Sequence, residues 1–101
     1  TVTAGTGATL TTDASAYVRD QPITVTWSGL STNVHDWIAI APAGSSDPTV
    51  TRWVYTAGAA AGSFVFEGPA ATGDYVARAF SNDTYVKIIE SAPFQINTVI
   101  P

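Results

Sequence analysis

The chain has no cysteine, no methionine, one histidine and only four cationic side chains, Arg19, Arg52, Arg78 and Lys87. Without cysteine there is no disulfide, no thiolate metal ligand and no cysteine nucleophile. Four scattered cations against eight acids give a formal net charge of −4. Such a surface cannot neutralise a phosphate backbone, so nucleic acid is not an expected partner. Charged residues of both signs make up 12% of the chain, about half of the roughly 25% usual in soluble domains. Alanine, threonine, glycine and serine take their place, a composition suited to a secreted module. No apolar run approaches the about 20 residues that a membrane helix needs, so no membrane span is expected. The opening TVTAGTGATLTTD has neither the basic start nor the apolar stretch of a signal peptide. The 101 residues therefore read as one domain excised from a longer protein, with 1–8 and 97–101 as tails or linker.

No stretch carries a helical period, and apolar residues alternate instead. Ile23, Val25 and Trp27 fall on one side of a strand, with Thr24, Thr26 and Ser28 on the other, the period of a half-buried antiparallel strand. HDWIAIAP (35–42) follows, with Ile38 and Ile40 expected inward, Ala39 and Ala41 outward, and Pro42 ending the strand because it cannot donate to a ladder. Arg52 and Val54 should share one face of the next strand, and Trp53 and Tyr55 the other. Phe64 and Phe66 are expected inward on a strand over 63–67. Turn signals at Gly44–Pro48, Ala57–Gly62 and Gly68–Gly73 punctuate these runs. The spacing Gly73-x-Tyr75, followed by Ala77 and Ala79 at alternate positions, is that of a tyrosine corner, in which the Tyr75 hydroxyl donates to an upstream backbone carbonyl. Ser81–Thr84 fits a four-residue hairpin loop. These elements predict an all-β, immunoglobulin-like antiparallel sandwich of seven to eight strands.

The succession VTW (25–27), DWIAI (36–40), RWVYT (52–56), GSFVF (62–66), the Gly73-x-Tyr75 strand and SAPF (91–94) resembles the SKICH-type immunoglobulin-like domains. Their signature runs D-W-I-G-I, an aromatic strand and a final S-x-P-F. It is similar also to the sandwich modules that precede some metallophosphoesterases, and to small bacterial Ig-like modules appended to secreted hydrolases. The resemblance covers Tyr17 to Ile96, with Ala39 standing where glycine is usual. It implies an interaction or spacer unit rather than an enzyme.

The residues themselves point the same way. His35 and Asp36 are neighbours on a strand and so point to opposite faces, which does not bring them together as an acid–base pair. Asp36 is expected to cap its loop by accepting backbone N–H bonds. Serines are frequent, but no G-x-S-x-G elbow is present. The aspartates sit singly, with no D-x-D-x-D-G run for calcium. No cofactor, metal site or catalytic residue is therefore expected. The candidate ligand face is the outer side of the last hairpin. With Ser81–Thr84 as the loop, Phe80 would oppose Tyr85 and Arg78 would oppose Lys87, two flat and two positive side chains emerging together. Trp53 and Tyr55 would join them if they face outward. Such a face suits a glycan or similar polymer, with carboxylate or sulfate groups favoured by the cations. The alternative is a structural spacer or a protein-interaction domain positioning a catalytic neighbour.

Overall fold

The computed structural model describes residues 8–47 and 49–98. They form nine strands: β1 (Thr9–Thr12), β2 (Ala16–Val18), β3 (Ile23–Ser28), β4 (Trp37–Pro42), β5 (Arg52–Tyr55), β6 (Gly62–Phe66), β7 (Gly73–Phe80), β8 (Lys87–Glu90) and β9 (Phe94–Asn97). None of the described residues belongs to a helix long and apolar enough to cross a membrane. One sheet has the order β1-β3-β6, and the other β2-β9-β7-β4-β5, with β8 pairing the far half of β7. The two sheets make an all-β sandwich.

The count exceeds seven to eight because two strands are broken. At Asp13–Ser15 the first edge strand leaves the β3 sheet and crosses to the other, where β2 pairs β9 in parallel. Asp13 holds the crossover: its backbone N–H donates to Thr24 O at 3.1 Å, and its carboxylate accepts the Tyr17 hydroxyl at 2.5 Å. Ser91–Pro93 breaks the last strand, so that β8 pairs Arg78–Phe80 while β9 pairs Gly73–Tyr75. Asn97 closes β9 opposite Val18, and Ala8 packs against the core. Neither is a tail residue; the rest of the two expected tails, 1–7 and 99–101, lies outside the described residues apart from Thr98.

The core between the sheets is supplied by alternate positions, as the pattern requires. Ile23, Val25 and Trp27 face Ile38, Ile40, Ala77 and Ala79, with Tyr17, Phe94 and Ile96 filling one end. The tyrosine corner is formed: the Tyr75 hydroxyl donates to Ala71 O at 2.8 Å.

Two facings differ from the pattern. Phe64 stands opposite Val25 on the core side of β6 but is substantially exposed, whereas Phe66 is buried. Among the described residues β6 is the sheet's edge strand, and none of them pairs beyond it to cover the Phe64 ring. Ala39 and Ala41 do point away from Ile38 and Ile40, yet both are fully buried. The outer face of β4 is roofed, and what roofs it makes the site.

Candidate functional site

Outward positions on three neighbouring strands bring aromatic rings together. Trp37 on β4 has Tyr55 of β5 on one side and Phe80 of β7 on the other, and Trp53 stands opposite Ala39. The alanine methyl leaves room above the strand for an indole. Phe80 stacks on Trp37 with centroids 4.5 Å apart and an interplanar angle of 26°. Trp37, Ala39 and Phe80, with Val50 against them, form a second small core outside the sandwich. The exposed rings meet it edge-on: Trp53 at 5.9 Å and 77° to Trp37, Tyr85 at 5.5 Å and 78°, and Tyr55 at 4.9 Å and 84° to Trp53.

The loop after β7 supplies the far wall. Asn82 and Asp83 both hold the left-handed conformation, with φ of 46° and 60°, which costs on the order of 1 kcal/mol per residue even though Asn and Asp tolerate it best. Contacts from β4, β5 and the preceding loop offset that cost. The Asn82 N–H donates to Asp36 Oδ1 at 3.0 Å, and the Asp83 N–H to His35 O at 2.9 Å. Trp37 Nε1–H donates to Thr84 O at 3.0 Å, and the Tyr55 hydroxyl to Asp83 Oδ1 at 2.6 Å. That last bond, chiefly, raises the Tyr55 hydroxyl above its ordinary pKa, since Asp83 already accepts its proton. The result is a surface cleft of about 250 Å3 lined by Trp37, Val50, Trp53, Tyr55, Asp83 and Tyr85.

Of the six residues expected to carry a ligand, three line this cleft. Trp53 and Tyr85 are both 53% exposed and Tyr55 is 38% exposed. The other three are placed differently. The hairpin loop is not Ser81–Thr84 but sits one residue later, closed by the Ser81 N–H donating to Val86 O, so Phe80 opposes Lys87 rather than Tyr85. A register shift between Ala79 and Phe80 then adds one more residue, and Arg78 opposes Glu90. A bulge of this kind adds a residue to one strand and re-aims every side chain after it. Phe80 is fully buried beneath Trp37 and Tyr85, and Arg78 is only 2% exposed.

The Arg78 guanidinium is a structural clamp. It donates to Ser45 O at 2.6 Å, Ser46 O at 3.0 Å and Ser45 Oγ at 3.3 Å, and it pairs with Glu90 at 2.9 Å. It thereby ties the β4–β5 turn down over the outer face. Lys87 is engaged by Glu90 at 3.1 Å and Asp47 at 3.5 Å. Partial burial pushes the Glu90 carboxyl up, but the Arg78 and Lys87 cations outweigh it and hold it below the ordinary carboxylate value. A cationic platform selecting carboxylate or sulfate is therefore not present. Both positive groups are already neutralised, and the charge in the cleft is that of Asp83.

The remaining sequence candidates separate. The His35 ring packs on Tyr55 at 5.5 Å, while Asp36 is buried and bonded to Ser31 Oγ at 2.5 Å as well as to Asn82. Asp36 does accept a backbone N–H, but from the hairpin loop 46 residues away rather than from its own. Among the described residues no group of His, Asp and Glu is arranged to hold a metal ion. Trp37, Val50 and Asp83 are cleft residues that pattern reading overlooked. For Trp37 a signal existed, since placing Ile38 and Ile40 inward turns the indole outward beside Tyr55. The chain matches no protein-family model and no curated protein sequence.

Proposed function

We propose that this domain is a non-catalytic accessory module of a larger secreted protein, and that it holds a glycan or similar surface polymer in the aromatic cleft. The observation carrying this reading is that Trp53, Tyr55 and Tyr85 are left open to solvent around Trp37, against a loop held in a costly conformation. Scattered apolar residues need no explanation, but several large rings gathered on one locked face do. Aromatic side chains offer a large contact area with few rotors to freeze, which suits weak polymer contacts repeated along a surface. The resemblance to accessory Ig-like modules of secreted hydrolases supports the same role.

A second reading has its own observation. The free edge strand β6 exposes Phe64 and Val65, as would a spacer or interaction domain packed against a protein neighbour.

Retention on insoluble polysaccharides and whole cell-wall polymer distinguishes the two. Wild type is expected to be retained and Trp53→Ala to be released. If wild type passes through unretained, or if Trp53→Ala is retained as well as wild type, polymer binding by this cleft is refuted and the β6 edge becomes the face to pursue.

A further inference from the structure

We infer that the cleft selects an alkylated ammonium group, so that the unit it recognises is a quaternary or methylated amine carried by its ligand. This rests on the reading of the cleft as a ligand site and goes further by naming the chemistry that fills it.

Ring geometry is the first ground. A flat pyranose ring is best served by a flat, coplanar platform. Here the exposed rings stand at 77° and 78° to Trp37, and Tyr55 stands at 84° to Trp53. Rings set at right angles enclose a compact, rounded group from several sides. An alkylammonium within about 6 Å of several ring centroids is attracted by the negative faces of all of them. The cleft, at about 250 Å3, lies below the roughly 300 Å3 at which pockets for drug-sized ligands begin, and it suits a small head on a tether.

Charge and donor placement are the second ground. Of the six lining residues Asp83 alone is charged, and the neighbouring cations are already engaged, Arg78 by Glu90 and Lys87 by Glu90 and Asp47. Two donors that could have served an anion or a sugar hydroxyl are turned elsewhere. Trp37 Nε1–H is committed to Thr84 O, and the Tyr55 hydroxyl proton to Asp83 Oδ1. Beside the Trp53 indole N–H and the Tyr85 hydroxyl at the rim, the cleft presents the second carboxylate oxygen of Asp83 and the ring faces. An ammonium that cannot itself donate strongly, but carries a full positive charge on an apolar surface, matches that set. The domain's net charge of −4 brings such a ligand in rather than repelling it.

The test is a chemical-shift titration of the backbone and indole N–H signals with three probes at constant ionic strength. They are choline, its uncharged isostere 3,3-dimethylbutan-1-ol, and a neutral gluco-oligosaccharide. Choline is expected to shift the signals of Trp37, Trp53 and the 82–85 loop, binding at least about tenfold more tightly than the isostere, a gap of about 1.4 kcal/mol. Trp53→Ala should abolish the shifts, Trp53→Phe should restore part of the affinity through its π face, and Asp83→Asn should weaken binding several-fold. Equal binding of choline and the isostere would show a merely apolar cleft and overturn the inference. Binding of the oligosaccharide without choline would overturn it too, while leaving polymer recognition standing. Binding of none of the three overturns the ammonium inference, and polymer recognition falls with it if the retention experiment is also negative.

Discussion

Asp36 Oδ1 accepts the backbone N–H of Asn82 at 3.0 Å, fastening the entrance of β4 to the hairpin loop that walls the cleft. Its other oxygen takes the Ser31 hydroxyl at 2.5 Å, and the side chain is buried. One carboxylate thus fastens its own loop, through Ser31, to a loop 46 positions further along the chain. It also helps to hold Asn82 and Asp83 in the left-handed region.

Replacing that carboxylate should be expensive. Asp36→Ala removes two charge-assisted hydrogen bonds and leaves the Asn82 N–H without its acceptor, so a loss of about 2–4 kcal/mol is expected. Asp36→Asn keeps an acceptor oxygen in place and should lose less than half as much. Urea denaturation of the three proteins checks both values. Equal midpoints for wild type and Asp36→Ala would mean that the two loops are held by something else.

The tyrosine corner gives a smaller and cleaner effect. Tyr75→Phe keeps the ring stacked near Phe94 and deletes only the hydroxyl that donates to Ala71 O. The expected cost is about 0.5–1.5 kcal/mol with the fold unchanged. A shift of the denaturation midpoint at constant slope is the signature to look for.

Tyr17 should make the domain sensitive to alkali. Burial, and then its hydrogen bond to Asp13, push its pKa from 10.0 up to about 12. Because the folded value lies above the unfolded one, the stabilisation is complete below pH 10 and is lost as pH rises through 12. The loss should be on the order of 2 kcal/mol. Tyr17→Phe is expected to flatten this part of the stability–pH profile, measured by urea midpoints between pH 9 and 12. A wild-type profile already as flat as the variant's would contradict the assignment.

Much of the sandwich was legible because its signals are local. The alternation in Ile23–Trp27 and the spacing around Tyr75 are fixed by strand geometry alone, and both placed their residues correctly. The site was less legible, because it depends on what lies across the sheet. Whether Ala39 and Ala41 meet water is decided by Trp53, Phe80 and the Arg78 clamp, all contributed by other strands. The later turn of the hairpin and the bulge between Ala79 and Phe80 leave no compositional mark, yet together they replace the expected Arg78–Lys87 opposition with Arg78–Glu90. A hairpin face inferred by counting back from a loop fails wherever one residue is inserted.

β4 divides its side chains between two separate interiors. Ile38 and Ile40 serve the main core, whereas Trp37 and Ala39 serve the small cluster under the cleft. The sheet itself stands between them. Changes more than about 7–10 Å apart with no shared partner add in free energy rather than compound. The cost of exchanging the rim rings Trp53 and Tyr85 should therefore fall on the small cluster and add to, rather than compound, the effect of changes in the main core. Such a scaffold is free to drift in what it binds while remaining the same fold, and descendants with different rims would be expected to hold different ligands on an unaltered foundation.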